Sequence, residues 1–89
     1  MSDEKTTLLE FPCAFPLKIM GEAQGDFTQL MVAIVLKHAP DYDPVSIEIR
    51  PSKQGKYISL TCEIQATSQA QLDALYRELS AHPLVKMVL

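Results

Sequence analysis

The chain has 89 residues, of which 47% are hydrophobic and 21% charged, and its formal net charge is -3. This length and balance predict one globular domain and exclude a disordered chain. The negative charge argues against a general nucleic-acid binder, and no apolar run approaches the roughly 20 residues that cross a bilayer. The charged start is not followed by a signal-peptide core, so we expect a cytoplasmic protein.

An N-terminal arm over residues 1–14 is predicted to precede a single domain over residues 15–89. The first strand is expected at residues 17–20, where apolar side chains alternate. Gly21 and Gly25 follow it and permit a tight turn into a helix.

The first predicted helix begins after Asp26, a good N-cap residue, with Gln29 three positions later as a capping box requires. Apolar residues then recur at helical spacing until Pro40 ends the helix. Residues 30–36 are apolar nearly all round the helix, which predicts that a second face is covered. We therefore expect a homodimer or a larger host slightly more than a monomer.

Residues 45–50 alternate and predict a second strand, which Pro51 stops. Residues 57–66 alternate even more cleanly, with Ile58, Leu60, Cys62, Ile64 and Ala66 on one side. This is the pattern of a strand with one buried face, and the short turn between the two strands predicts a hairpin.

The second helix is predicted to start at a Thr67 or Ser68 cap and to end before Pro83. Residues 84–89 then form the last strand. The order βαββαβ predicts an α+β, ferredoxin-like fold, with two helices on one face of a four-stranded antiparallel sheet. The other sheet face is predicted to carry Lys18, Ser46, Glu48, Arg50, Ser59, Thr61, Glu63, Gln65 and Lys86, with Met20 and Val88 among them.

The densest positive charge lies in the predicted hairpin turn. Arg50, Lys53 and Lys56, with Ser52 and the backbone amides near Gly55, are candidates to hold a phosphate or a carboxylate. The alternative is a solvated turn whose charges offset an acidic remainder. An RNA-binding sheet is a further alternative, although Tyr57 alone does not supply the paired aromatics of an RNA-recognition motif.

The cysteines and histidines do not form a recognisable catalytic or metal pattern. Cys62 is expected in the core, and both it and Cys13 are expected to be reduced. His38 and His82 fall at predicted helix C-terminal ends, where an imidazole interacts well with the last carbonyls. We therefore expect no enzyme activity, metal or cofactor; the alternative is a small thiol-dependent enzyme that uses Cys13 in an exposed, irregular segment.

Several motifs in combination resemble the YbeD-like family of small bacterial proteins. They are Glu-Phe-Pro at 10–12, Phe-Pro-Leu-Lys-Ile-Met-Gly at 15–21, Arg-Pro-Ser-Lys at 50–53, Gly-Lys-Tyr at 55–57, Leu-Tyr at 75–76 and Val-Lys-Met-Val-Leu at 85–89. The resemblance covers nearly the whole chain. It implies a ferredoxin-like, ACT-like cytoplasmic protein with a suggested regulatory link to lipoate metabolism, and it brings no catalytic residues.

The ACT likeness implies an effector site at the turn after the first strand, where ACT domains often carry Asp-x-x-Gly. This chain has Glu22 and Gly25 at that spacing, directly after Gly21. The overall expectation is a non-enzymatic regulatory or interaction module that binds a small effector or a metabolic enzyme, with neither nucleic acid nor membrane as partner.

Overall fold

Four strands and two helices follow one another in the order βαββαβ in a computed structural model that describes residues 10–89. The elements are β1 (Cys13–Glu22), α1 (Phe27–His38), β2 (Glu48–Pro51), β3 (Tyr57–Ala66), α2 (Gln69–Ala81) and β4 (Val85–Val88), with a 3-10 turn at Pro44–Ser46. The strands form one antiparallel sheet in the order β2-β3-β1-β4. The ferredoxin-like prediction is therefore confirmed.

The core lies between the helices and one face of the sheet. On β3, alternate residues from Leu60 to Ala66 are buried, as the alternation predicted. The helices contribute Phe27, Met31 and Val35 from α1 and the leucines 72, 75 and 79 from α2 to the same cluster. Both helices place their buried residues at intervals of three and four, so one face of each helix packs against the sheet.

The first strand is longer than predicted, because Pro16 lies inside it rather than before it. Lys18 exchanges backbone hydrogen bonds with Leu89 on the β4 side of the strand. Pro16 lies two positions earlier, so its nitrogen faces the same side, beyond the last residue of β4. A proline is tolerated there because no hydrogen bond of the ladder is lost.

The predicted boundary between arm and domain also differs from the strand that is observed. Cys13 and Ala14, which were assigned to the arm, pair with Ala66 and Gln65 of β3. Residues 1–9 of the predicted arm lie outside the described residues.

The second strand is shorter than predicted. Val45 is 89% exposed and lies in the 3-10 turn, where its backbone N–H donates to Asp43 Oδ1. The aspartate and the following proline favour a turn here and override the apolar alternation of residues 45–49.

The placement of Val88 on the polar face was wrong. A register shift between Met20 and Gly21 interrupts the pairing of β1 with β4, and Val88 then pairs with Ile19 and packs against the core. Met87 pairs with Met20 and is 49% exposed on the open face instead. A bulge of this kind reverses which side chains face outward, and sequence alternation does not reveal it.

The two helices are joined where α1 ends. His38 Nε2 lies 2.7 Å from Glu78 Oε1, and Lys37 Nζ lies 3.2 Å from the same oxygen. Gln71 Nε2 also donates to the backbone carbonyl of His38 at 2.9 Å. His38 therefore lies at the helix end as predicted, and its contact with Glu78 helps to lower the pKa of that carboxyl.

The helix starts agree with the predicted caps in position. Ser68 Oγ accepts from the backbone N–H of Gln71, whereas the side chain of Asp26 forms no capping hydrogen bond. No helix among residues 10–89 is long and apolar enough to cross a membrane.

Candidate functional site

Two segments that are distant in the sequence meet at one end of the sheet. The loop between β1 and α1 lies against the end of the β2–β3 turn, and the backbone N–H of Ala23 donates to Lys56 O at 3.0 Å. Glu22, Gln24 and Tyr57 join these two residues around a groove of about 350 Å³, which we call the loop groove. The structure thus brings together Glu22 and Lys56, which were proposed from separate patterns.

Gly21 fixes the position of this loop. A Cβ atom at this residue would lie 2.3 Å from the carbonyl oxygen of Leu84 and 2.6 Å from Cε1 of Phe27. The next residue is held from the same side, since Glu22 N–H donates to Leu84 O at 3.0 Å. Only glycine lets the end of β1 pass between β4 and the first turn of α1.

Glu22 is the acidic group of the loop groove. Its Oε2 lies 3.0 Å from Lys86 Nζ, and its Oε1 accepts from Gln24 Nε2 at 2.6 Å. The hydrogen bond and the charge of Lys86 lower the pKa of Glu22, and Glu22 raises the pKa of Lys86 in return. An ionised carboxylate offers about four acceptor positions, so Glu22 retains acceptor capacity for a further donor.

The opposite wall of the loop groove is basic and aromatic. Lys56 Nζ lies 5.9 Å from the centroid of the Tyr57 ring, within the range of a cation–π contact. Tyr57 is 43% exposed, so its ring offers a flat apolar surface beside the charges. A groove with one carboxylate and one ammonium group suits a small molecule that carries both charges.

The β2–β3 turn uses two of its predicted ligand groups for its own structure. Gly55 has a φ of 72°, and its N–H donates to Ser52 O at 2.9 Å. Ser52 Oγ accepts from the backbone N–H of Tyr57 at 3.1 Å. The amide N–H of Gly55 is therefore committed to closing the turn, and the hydroxyl oxygen of Ser52 takes part in the turn as an acceptor.

The three basic residues of the predicted anion site face different surroundings. Lys56 lies at the loop groove, and Lys53 lies in the exposed part of the turn. Arg50 lies on the open face of the sheet, in a groove that it shares with Lys18. Residues that are close in sequence separate here because Arg50 lies in β2, on the open face of the sheet, whereas Lys53 and Lys56 lie in the turn after this strand. Gly25, with a φ of 47°, lies in the loop before α1 and has nothing near its Cβ position.

Cys13 is not in the exposed, irregular segment that was predicted. It is half-buried in β1 and packs against the core, opposite Ala66. Cys62 is fully buried, and burial raises the pKa of its thiol, which is the behaviour of a structural cysteine. Both cysteines are free. Residues 10–89 contain no cluster of three or more histidine, cysteine, aspartate or glutamate side chains that could hold a metal ion.

Sequence reasoning missed three contributors to the loop groove and its edge. Gln24 was treated only as part of a loop, Tyr57 only as a weak RNA-binding feature, and Lys86 only as a polar residue of the last strand. Lys86 meets Glu22 because β4 lies beside β1 in the sheet. No local pattern signals this pair, since the two residues lie at opposite ends of the folded domain's sequence.

A family model and curated relatives both match this chain over nearly its whole length. Residues 6–89 match the family described as "Protein of unknown function (DUF493)". A UPF0250 protein of Nitrosomonas europaea is 54% identical over 83 residues, which cover 93% of this chain and 95% of that protein. A UPF0250 protein of Chromobacterium violaceum is 49% identical over 89 residues and matches all of both chains.

Solved structures with low sequence identity share the fold. One solution structure of protein HP0495 from Helicobacter pylori has a TM-score of 0.77 at 16% identity, covering 100% of this chain and 93% of that one. The ACT domain from the GTP pyrophosphokinase of Chlorobium tepidum has a TM-score of 0.63 at 19% identity, covering 86% of this chain and 97% of that one. The described residues therefore have an ACT-like fold.

Proposed function

The chain belongs to the DUF493 family, and we propose from its geometry that it is a non-enzymatic regulatory module with an effector site in the loop groove. The observation that carries this proposal is the hydrogen bond from Ala23 to Lys56, which joins the loop after β1 to the hairpin around Glu22. The ACT-like fold supports a regulatory role, since one structural neighbour is the ACT domain of a larger enzyme, a GTP pyrophosphokinase. A cytoplasmic location is part of the same proposal.

The effector that best fits the loop groove is a small zwitterion such as an α-amino acid. Its ammonium group would donate to Glu22, and its carboxylate would accept from Lys56, so each charge meets its opposite. The exposed ring of Tyr57 would cover an apolar part of the ligand. Binding would act on a partner by favouring one of two conformations of the loop, which is the general way in which an effector shifts an equilibrium.

The partner in this proposal is a metabolic enzyme, or a second copy of the chain. On α1, Leu30 is 42% exposed, whereas Val32 and Leu36 are half-buried and Leu36 packs against the core. The exposed apolar surface of this helix is therefore smaller than the sequence predicted. The homodimer stays a prediction, which sedimentation of the purified chain would measure.

An NMR titration of the ¹⁵N-labelled chain with the standard amino acids tests the effector site. We expect saturable shifts of the Ala23 and Lys56 amide signals, and we expect Glu22→Gln and Lys56→Gln to weaken binding about tenfold or more, as for a lost charged hydrogen bond. Two matched controls remove one charge nearby without touching the groove. Asp26→Asn controls for the acid, and Lys53→Gln controls for the base.

The outcomes of this titration separate the parts of the proposal. A saturable response that Glu22→Gln and Lys56→Gln leave unchanged would place the ligand elsewhere on the molecule. The absence of any response would remove amino acids as effectors. Capture of one metabolic enzyme by the tagged chain, weakened by the same two variants but not by the controls, would support the module through its partner.

A further inference from the structure

The open face of the sheet carries an ordered arrangement of polar side chains that do not line the loop groove. Glu48, Thr61 and Lys18 are paired across β2, β3 and β1 and form one transverse row. Arg50 and Ser59 lie in the neighbouring row. Residues directly opposite in antiparallel strands have side chains on the same face, so these five groups point to the same side of the sheet.

These side chains line a groove of about 460 Å³, larger than the loop groove. Pro16 and Leu89 form its edge on the β1 and β4 side. Leu89 is held there by two backbone hydrogen bonds with Lys18, of 3.1 and 2.8 Å. The groove, which we call the sheet groove, thus has a polar floor and an apolar edge.

The sheet groove offers more hydrogen-bond donors than a single carboxylate group can accept. Arg50 presents a planar fork of N–H donors, Lys18 presents three, and Ser59 and Thr61 add one hydroxyl each. Neither cation forms an ion pair with another residue in the described part of the chain. Two positive charges and this number of donors match a phosphate group, which has three acceptor oxygens and carries about -1.5 to -2 at neutral pH.

We propose that the sheet groove binds a small phosphate monoester, with its phosphate on Lys18, Arg50 and the two hydroxyls and its organic part along Pro16 and Leu89. Glu48 provides a specific test of this site. It lines the same groove beside Thr61, so its negative charge opposes the anion and restrains the affinity. Its removal should therefore strengthen binding, which the loss of a merely structural residue would not do.

The sheet groove and the loop groove share no lining residue, so the phosphate site is independent of the proposed effector site. Glu22 and Lys56, which carry that proposal, do not line the sheet groove, and none of the five polar groups of the sheet groove lines the loop groove. The two sites are therefore tested with different variants, and either proposal can fail alone.

The test is an NMR titration of the ¹⁵N-labelled full chain with phenyl phosphate, inorganic phosphate and benzoate. We expect saturable shifts at the Ser59 and Thr61 amides with phenyl phosphate, weaker binding of inorganic phosphate, and the weakest binding of benzoate. Arg50→Gln and Lys18→Gln should each weaken phenyl phosphate about tenfold or more, the effect of one charge-assisted hydrogen bond. Glu48→Gln should strengthen it severalfold.

Lys53→Gln is the matched control, because it removes one positive charge from the adjoining turn and leaves the sheet groove unchanged. The proposal is overturned if phenyl phosphate gives no saturable shift, or if Lys53→Gln weakens binding as much as Arg50→Gln does. Benzoate that binds as tightly as phenyl phosphate would overturn the assignment to phosphate. Weaker binding by Glu48→Gln would overturn the stated role of that residue. The spectrum of each variant also reports directly whether it is folded.

Discussion

The two segments that meet at the loop groove depend on glycines for opposite reasons. Near the end of β1, Gly21 is buried and has no room for a Cβ atom, whereas Gly55 in the hairpin turn has open space around it and a φ of 72°. The first glycine is required by packing and the second by backbone conformation. One wall of the groove is therefore fixed by the core, and the other is held by local turn geometry that tolerates more change.

The largest expected effect comes from Gly21→Ala. The added methyl group would meet a backbone carbonyl and a buried aromatic ring, and neither can move without displacing β4 or α1. We expect a loss of about 3 kcal/mol in the free energy of unfolding, at the upper end of overpacking effects. Urea unfolding measures it, and Gly25→Ala in the loop after β1 is the comparison, because its φ of 47° adds conformational strain of about 1 kcal/mol without a steric clash. Equal losses in the two variants would contradict the role given to packing.

Substitution of Gly55 should have a smaller effect, which depends on the residue introduced. Alanine in the left-handed region should reduce the free energy of unfolding by about 1 kcal/mol, because its Cβ crowds the following carbonyl. Asparagine visits this region more readily, so Gly55→Asn should lose less than Gly55→Ala. Thermal unfolding of both variants gives the comparison, and an alanine variant as stable as the asparagine variant would argue against the conformational explanation.

Ser52→Ala tests how much the side-chain hydrogen bond contributes to the turn. It removes the acceptor for Tyr57 N–H and leaves the backbone bond from Ser52 N–H to Tyr57 O in place. We expect a loss of about 0.5 to 1 kcal/mol, the usual net value of such a bond. Lys53→Ala, which removes an exposed side chain from the same turn, is the control for chemical unfolding.

The smallest expected effect is electrostatic and concerns the ion pair of Glu22 and Lys86. Lys86 lowers the pKa of Glu22 below the ordinary value of 4.5, so this pair stabilises the folded chain above that pH and loses its contribution as the pH falls through the lowered pKa. NMR titration of the Glu22 carboxyl should give a midpoint below 4.5. Lys86→Gln should raise that midpoint toward 4.5, and Lys56→Gln should raise it less. A midpoint unaffected by Lys86→Gln would contradict this cause.

For the candidate sites, the sequence indicated which residues are involved but not how the fold groups them. Glu22 and the basic residues were found as candidates because their types and neighbours are local features of the chain. The way in which the fold groups these residues was not predicted. Arg50 lies on the open face beside Lys18, whereas Lys56 lies against the β1–α1 loop. The register of β3 against two other strands decides this, and no short stretch of sequence contains that register.

The sequence by itself determined the order of the elements, the buried face of β3 and the start and end of α1. These features depend on the period of apolar residues and on nearby caps and prolines, which act over a few positions. The tertiary structure alone decided the length of β1 through Pro16, the exchange of Val88 for Met87 at the bulge, and the meeting of Glu22 with Lys86. Each of these depends on which strand lies alongside another, and that is settled only when the whole sheet closes over a common core.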